Sequence, residues 1–268
     1  MSISKLMKES KKIVIKIGTN TLSDDKGHVD KEYLEKLVQQ IISLAKQGKQ
    51  VVIVTSGARI AGVATLGKWK LKEDVHYKQA LCAIGQVELM DAYRKVFNEH
   101  DIHVGQMLFT KEDFTDYNRT LNIRNTLFTL IDEGVIPIVN ENDCVSVEEI
   151  KIGDNDTLAA YTANLWNADL LILLSDIDGI YDKNPKVNSD AVLIEEISDI
   201  NKIDEMVEIG EANSFGTGGM HTKIMAAKLV NKCGIPMVLA NGSKENIILE
   251  LLEGNEKASV FMPKLINK

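Results

Sequence analysis

The stretch Lys12-Ile13-Val14-Ile15-Lys16-Ile17 closes on Gly18, and a second apolar run, Gln50-Val51-Val52-Ile53-Val54, closes on Thr55-Ser56-Gly57. Short β-branched runs bounded by turn residues predict buried strands. Between them Tyr33, Leu34, Leu37, Val38, Ile41, Ile42 and Ala45 recur at helical spacing, and Gly48 stands as a stop. A strand, a helix of that length and a second strand make one β-α-β unit, whose two strands run parallel.

Working outward, the pattern repeats. Helical spacing covers residues 78–98, an extended segment 103–109, a helix 119–133 and a strand 135–139. After the polar stretch 140–156, a helix over 157–166 leads into Leu170 to Leu174, which reads LLILL. A helix over 222–232, a strand at Pro236 to Ala240 and a helix over 244–252 follow. Strands alternating with long helices predict an α/β fold, a three-layer αβα sandwich with an open, mostly parallel central sheet. No Gly/Ser/Pro-rich linker or repeat interrupts the chain, so residues 1–268 read as a single domain, with two lobes meeting near residue 167.

Hydrophobic residues make up 44% and charged residues 26% of the 268, an ordinary globular composition. The formal net charge of −8 argues against nucleic acid or an anionic membrane as a partner, since both need a basic surface. Cys82, Cys144 and Cys233 lack the close spacing of a zinc or redox pair and read as buried free thiols. No apolar stretch precedes Ile13 and no segment approaches the ~18 residues of a membrane span, which gives a cytoplasmic expectation.

The common phosphate cradles are absent: there is no G-x-x-x-x-G-K-[ST], no protein-kinase motif set, and no G-x-G-x-x-G after the first strand. Five other stretches carry chemistry. Lys16 stands inside an apolar strand, where a lysine is costly unless it serves something. Alternation puts it on the face of Val14 and Gly18, near the carboxyl end of the sheet where ligands bind, although a strand-end lysine reaching solvent reads the same way. Thr55-Ser56-Gly57-Ala58 follows a strand with small residues, so amides at a helix start can approach an anion; a plain β-to-α turn is the simpler reading. Asn140-Glu141-Asn142-Asp143 and Gly153-Asp154-Asn155-Asp156-Thr157 are two clusters of acids and amides that could hold a substrate amine through Asp143 and a carboxylate through Asn155, or simply fill turns and caps.

Ser175 and Asp176 follow the LLILL strand, where a ligand at its end would meet them first. The fifth stretch, Gly216-Thr217-Gly218-Gly219-Met220-His221-Thr222-Lys223, runs into a helix. Its glycines free amides to wrap phosphate oxygens, and Lys223 in a first helical turn opposes the macrodipole unless an anion lies between. His221 is a weaker candidate for a general base. His100 and His103 lack acidic or cysteine partners, and Glu148 and Glu149 read as a solvated strand edge.

In this order, K-I-G-T, T-S-G-A, N-E-N-D with G-D-N-D, and G-T-G-G-M-x-T-K resemble the amino-acid kinase superfamily and, within it, the glutamate kinases of proline synthesis, over nearly the whole chain. The resemblance implies ATP and L-glutamate as substrates, with γ-phosphoryl transfer to the side-chain carboxylate. Magnesium would accompany ATP, proline would act as feedback inhibitor, and the chain would form a homo-oligomer. On this mapping Lys16, Lys223 and Asp156 are catalytic, Asp156 orienting the two lysines. Ser56, Gly57, Asp143 and Asn155 bind glutamate, while Lys16, Ser175, Asp176 and the run from Thr217 through Gly218, Gly219, Met220, His221 and Thr222 to Lys223 line the nucleotide site. The substrate lobe then spans roughly 1–167 and the nucleotide lobe 168–268.

Many of the glutamate kinases continue into a carboxyl-terminal PUA domain, whereas this chain stops at Lys268, so that domain's properties are not expected to transfer. The nearest alternative is an N-acetylglutamate kinase, whose first turn resembles K-x-G-G where Thr19 follows Gly18 here. Uridylate kinase would need a second nucleotide site, and aspartokinase usually carries regulatory domains. A catalytically silent ligand-binding sensor on the same sheet is the alternative of another class, and retention of both lysines and Asp156 counts against it.

Overall fold

The structure is a computed structural model that describes residues 2–67, 74–146, 155–185, 187–203 and 219–263. Strands β1 (Lys12–Ile17), β2 (Gln50–Val54), β3 (Val104–Phe109), β4 (Ile136–Glu141), β5 (Leu170–Ser175), β6 (Glu196–Ile197), β7 (Met237–Asn241) and β8 (Ser259–Phe261) form one sheet. Their order is β3-β4-β2-β1-β5-β7-β8-β6. All neighbouring strands run parallel except β7 and β8, which are antiparallel. The expected open, mostly parallel sheet is therefore present, with β1 and β5 buried at its centre.

Alternation divides the apolar side chains between two layers. Ile13, Ile15 and Ile17 pack with α1 (Ile3–Glu9), α3 (Lys31–Lys46) and α5 (Val75–Asn98), while Val14, Leu171 and Leu173 face α6 (Tyr117–Asp132), α7 (Asn155–Trp166) and α8 (Gly219–Lys232). Residues alternate because successive side chains on a strand point to opposite faces, and two covered faces explain why these strands are apolar throughout. α9 (Ile247–Glu253) lies with the first layer. Asp30, Asp74 and Asp116 cap α3, α5 and α6 by accepting from the amides of Tyr33, Tyr77 and Arg119.

Several features lie outside the sequence reading. The short α1 buries Leu6 and Met7, and its last carbonyls are satisfied by Lys49, whose buried Nζ donates to the oxygens of Met7 (2.8 Å), Lys8 (3.0 Å) and Ser10 (2.7 Å). Burial pushes the Lys49 ammonium below its ordinary pKa. A four-residue turn of helix, α2 (Thr19–Leu22), follows Gly18, and α4 (Ala58–Leu66) follows Gly57, whose φ of +95° is left-handed.

α4 meets α5 backbone to backbone: a Cβ on Gly62 would lie 1.9 Å from the Leu81 oxygen, and one on Gly85 1.7 Å from the Ala58 oxygen. Glycine is the residue that permits such an approach. Of the three cysteines only Cys82 is buried; Cys144, in the turn after β4, and Cys233, at the end of α8, are exposed. Both stand past the last apolar position of their elements, where a thiol has no packing layer to enter. Among the described residues no helix is long and apolar enough to cross a membrane.

Candidate active site

The carboxyl ends of β1, β2, β4 and β5 converge on the start of α7. Lys16, opposite Val54 and Leu173 in register, points to the Val14 face, as alternation requires, and there it meets α7. Its Nζ lies 2.6 Å from Asp156 Oδ1, and Lys223 Nζ lies 3.1 Å from Oδ2 of the same carboxylate. The Thr222 hydroxyl donates to that Oδ2 at 3.1 Å. Lys16 is 5%, Lys223 7% and Asp156 0% exposed. Burial pushes the Asp156 carboxyl up, but Lys16 and then Lys223 outweigh it and hold it below the usual carboxylate range.

Two buried ammonium groups on one carboxylate leave an excess of one positive charge. Desolvating charge is expensive, and although Asp176 lies within electrostatic reach of Lys223, a cluster with two ammonium groups suits a further anion beside it. Its place at the carboxyl ends of parallel strands is where open α/β sheets bind ligands. Helix α8 is described from Gly219 onward, so Lys223 stands at least one full turn inside it rather than in the first turn, and its Nζ also donates to the Gly219 oxygen at 3.1 Å. The anion expected to offset the macrodipole is in part the protein's own Asp156.

Asn155, next to Asp156, is held by neutral groups. Its Nδ2 faces the Thr55 oxygen (2.6 Å), Ser56 Oγ (2.9 Å) and Asn140 Oδ1 (2.9 Å). The amide expected to meet a substrate carboxylate is thus engaged within the protein, its two hydrogens shared among three oxygens. Gly57 provides no side-chain cap, so the first amides of α4 open beside Ser56. Asp143 is half-buried in the turn that follows β4.

At the end of β5, Ser175 Oγ donates to Asp176 Oδ1 at 3.1 Å and Asn20 Nδ2 reaches Oδ2 at 3.5 Å. Burial raises the Asp176 carboxyl, yet its backbone and Ser175 hydrogen bonds, with Asn20 and Lys223, bring it below its ordinary value. Gly219 and His221 are exposed, and Met220 packs partly into the second core. Thr217 and Gly218 lie outside the described residues, as do Gly153, Asp154, Glu148, Glu149 and Gly216.

Two residues close to this site, Gln86 and Tyr93, carried no signal of a role in the sequence. Asn140 Nδ2 donates to Gln86 Oε1 at 2.8 Å, and the buried Tyr93 hydroxyl lies 3.0 Å from Thr55 Oγ1. Gln86 and Tyr93 belong to α5, where a polar residue at helical spacing reads as solvent-facing. An open depression at the opposite end of the sheet, lined by Lys11, Lys12, Gly48, Gln50, Asn167 and Asp169, has no comparable chemistry. There Asp169 Oδ2 is taken up by the amides of Lys11 and Lys12, both at 2.8 Å.

Comparison with known proteins gives the family of the chain. The amino acid kinase family pattern matches residues 11–241. A glutamate 5-kinase of Alkaliphilus metalliredigens is 67% identical over 259 residues, covering 97% of this chain and 98% of that protein. The glutamate 5-kinase of Alkaliphilus oremlandii is 62% identical, covering 96% and 97%. Among solved structures, UMP kinase from Ureaplasma parvum superposes with a TM-score of 0.67 at 18% identity, covering 95% of this chain and 99% of that one. Carbamate kinase from Giardia lamblia bound to AMP-PNP superposes with a TM-score of 0.68 at 16% identity, over the same shares.

Proposed function

The chain belongs to the amino acid kinase family, and from that premise we propose that it transfers the γ-phosphoryl group of ATP to the γ-carboxylate of L-glutamate, giving L-glutamyl 5-phosphate and ADP. This reaction opens proline synthesis. The observation that carries the reading is the buried Lys16–Asp156–Lys223 cluster with its surplus positive charge, set between the ends of β1 and β5. Neither a bound carboxylate nor ATP needs a proton removed. A carboxylate oxygen forms the new bond to the γ-phosphorus as the bond to the bridging oxygen breaks, and the electron pair leaves on ADP.

Phosphoryl transfer of this kind asks for alignment and charge stabilisation. Lys16 and Lys223 supply the charge, held together by Asp156. Asp156 stays ionised because the lysines hold its pKa down, so it orients them and does not act as a base. Ser56, Gly57, Asp143 and Asn155 form the glutamate side, with Asn155 also holding the Thr55–Ser56 turn. Ser175, Asp176 and the residues from Thr217 to Lys223 line the nucleotide site.

Both Asp156 oxygens are taken by lysines, so magnesium would arrive as part of the substrate, on the ATP phosphates. The acceptor lobe would run to about residue 167 and the nucleotide lobe from 168, with Lys223 reaching across to Asp156. Proline inhibition and self-association rest on the resemblance, and a cytoplasmic location on the sequence expectation. Proline should raise the apparent KM for glutamate, and no effect at low glutamate and saturating proline would remove that part. The decisive assay compares ADP release with glutamate, N-acetylglutamate, aspartate and UMP. Glutamate should be preferred and N-acetylglutamate poor, since Asp143 is assigned to a free ammonium; equal turnover of the two would overturn the choice of substrate.

A further inference from the structure

The amide groups around Asn155 form a chain whose polarity is anchored at both ends by backbone atoms. The Glu141 amide N–H can only donate, and it lies 2.9 Å from one atom of the Asn140 side chain, which must therefore be Oδ1. Asn140 Nδ2 is then the atom left to face Gln86, and it donates to Gln86 Oε1 at 2.8 Å. At the other end the Thr55 carbonyl can only accept, so the Asn155 atom 2.6 Å from it must be Nδ2, the same atom that donates to Asn140 Oδ1. Gln86 contributes an acceptor alone: its Nε2 is buried without a partner among the described residues.

We infer that Gln86, on α5, is a positioning residue of the acceptor site, acting through Asn140 and Asn155 on the Thr55–Ser56 turn. This rests on the proposed glutamate kinase reaction and deepens it. Among the described residues Gln86 hydrogen-bonds to Asn140 and not to Ser56 or the lysine cluster, so its influence runs through the amide hydrogen bonds. Losing its oxygen leaves a buried Asn140 Nδ2 unsatisfied, and Asn140 then stabilises itself by turning, which withdraws Oδ1 from Asn155. The side of the site that binds glutamate loosens, while Lys16, Asp156 and Lys223 keep their ion pairs.

The test is steady-state kinetics of Gln86→Met, which keeps length and removes the acceptor, beside Gln86→Glu, which keeps an oxygen at that place. Gln86→Met should raise the KM for glutamate about tenfold, with kcat and the KM for ATP within about twofold of wild type, and Gln86→Glu should restore the glutamate KM to within about twofold. Asn140→Ser breaks the next link and should give the same split, so it carries the test if Gln86→Met does not fold. An unchanged glutamate KM in whichever of these variants folds overturns the inference. So does a loss in which glutamate KM, ATP KM and kcat move together, or one that Gln86→Glu shares with Gln86→Met. Wild-type turnover of glutamate in the same experiment reads the reaction itself, so failure of the reaction and failure of this inference are distinct results.

Discussion

Asn155 and Asp156 are neighbours at the start of α7, yet they organise sites of opposite kinds. Asp156 gathers two lysines and a hydroxyl into a buried ionic cluster, whereas Asn155 gathers carbonyl, hydroxyl and amide oxygens with no charge. Consecutive residues of a helix point about 100° apart, so one turn of α7 can serve two chemistries without mixing them. The ionic side suits charge that moves during phosphoryl transfer; the neutral side suits a substrate group whose charge does not change. The contrast predicts that damage to the first appears in kcat and damage to the second in KM.

The largest expected effect breaks the ionic side. Lys16→Met or Lys223→Met should lower kcat by about 10²-fold or more, as removal of an oxyanion donor does. Folding should persist because the remaining lysine still neutralises Asp156. Near wild-type kcat in both variants, with normal melting, would reduce the lysines to structural ion-pair partners.

A smaller effect reaches the neutral side from its support. Gly85 lies against Ala58 of α4 and precedes Gln86, and an added methyl must push the two helices apart. Gly85→Ala should cost roughly 1–3 kcal/mol of stability by overpacking, with a higher KM for glutamate and a preserved kcat. Thermal melts with kinetics check this, and a fall in kcat without change in KM would contradict the division between the two sides.

Asp143→Ala and Asn155→Ala act directly on the acceptor side. Each should raise the KM for glutamate about tenfold with a far smaller change in kcat, since neither meets developing charge. Titrating glutamate at saturating ATP measures the split, and a loss confined to kcat would move these residues to the reacting centre.

The smallest effect concerns acid. Asp156 has a depressed pKa in the folded chain, so it contributes stability that is present above the unfolded value of about 3.9 and lost as pH falls through the lower folded value. Denaturant melts from pH 7 to pH 2 should show that loss in wild type and in Asn155→Ala, and Asp156→Asn should lack this component. An identical acid slope in Asp156→Asn would place the dependence elsewhere.

The strands and helices were legible to within a few residues where the apolar period was long. KIVIKI and QVVIV are β1 and β2 as they stand, and the alternation that sets Lys16 with Val14 holds in the folded chain. What escaped was short or set by contact: α1, β6 and β8 have too few residues for a period, and α4 is apolar on more than one face because α5 covers it closely.

For the site, the sequence by itself determined which residues stand at strand ends and helix starts, because turn residues and apolar periods act over a few positions. That was enough to pick out Lys16, Ser56, Asp156 and Lys223. Only the tertiary structure decided their partners. A hydrogen bond joining Asn155 to Thr55 or Asn140 to Gln86 depends on the relative placement of separate elements, and no local pattern encodes which way an amide turns. Lys16 is buried at the end of its strand and does not reach solvent, because α7 brings a carboxylate to within 2.6 Å of it, and that meeting exists only once the sheet and its covering helix have packed.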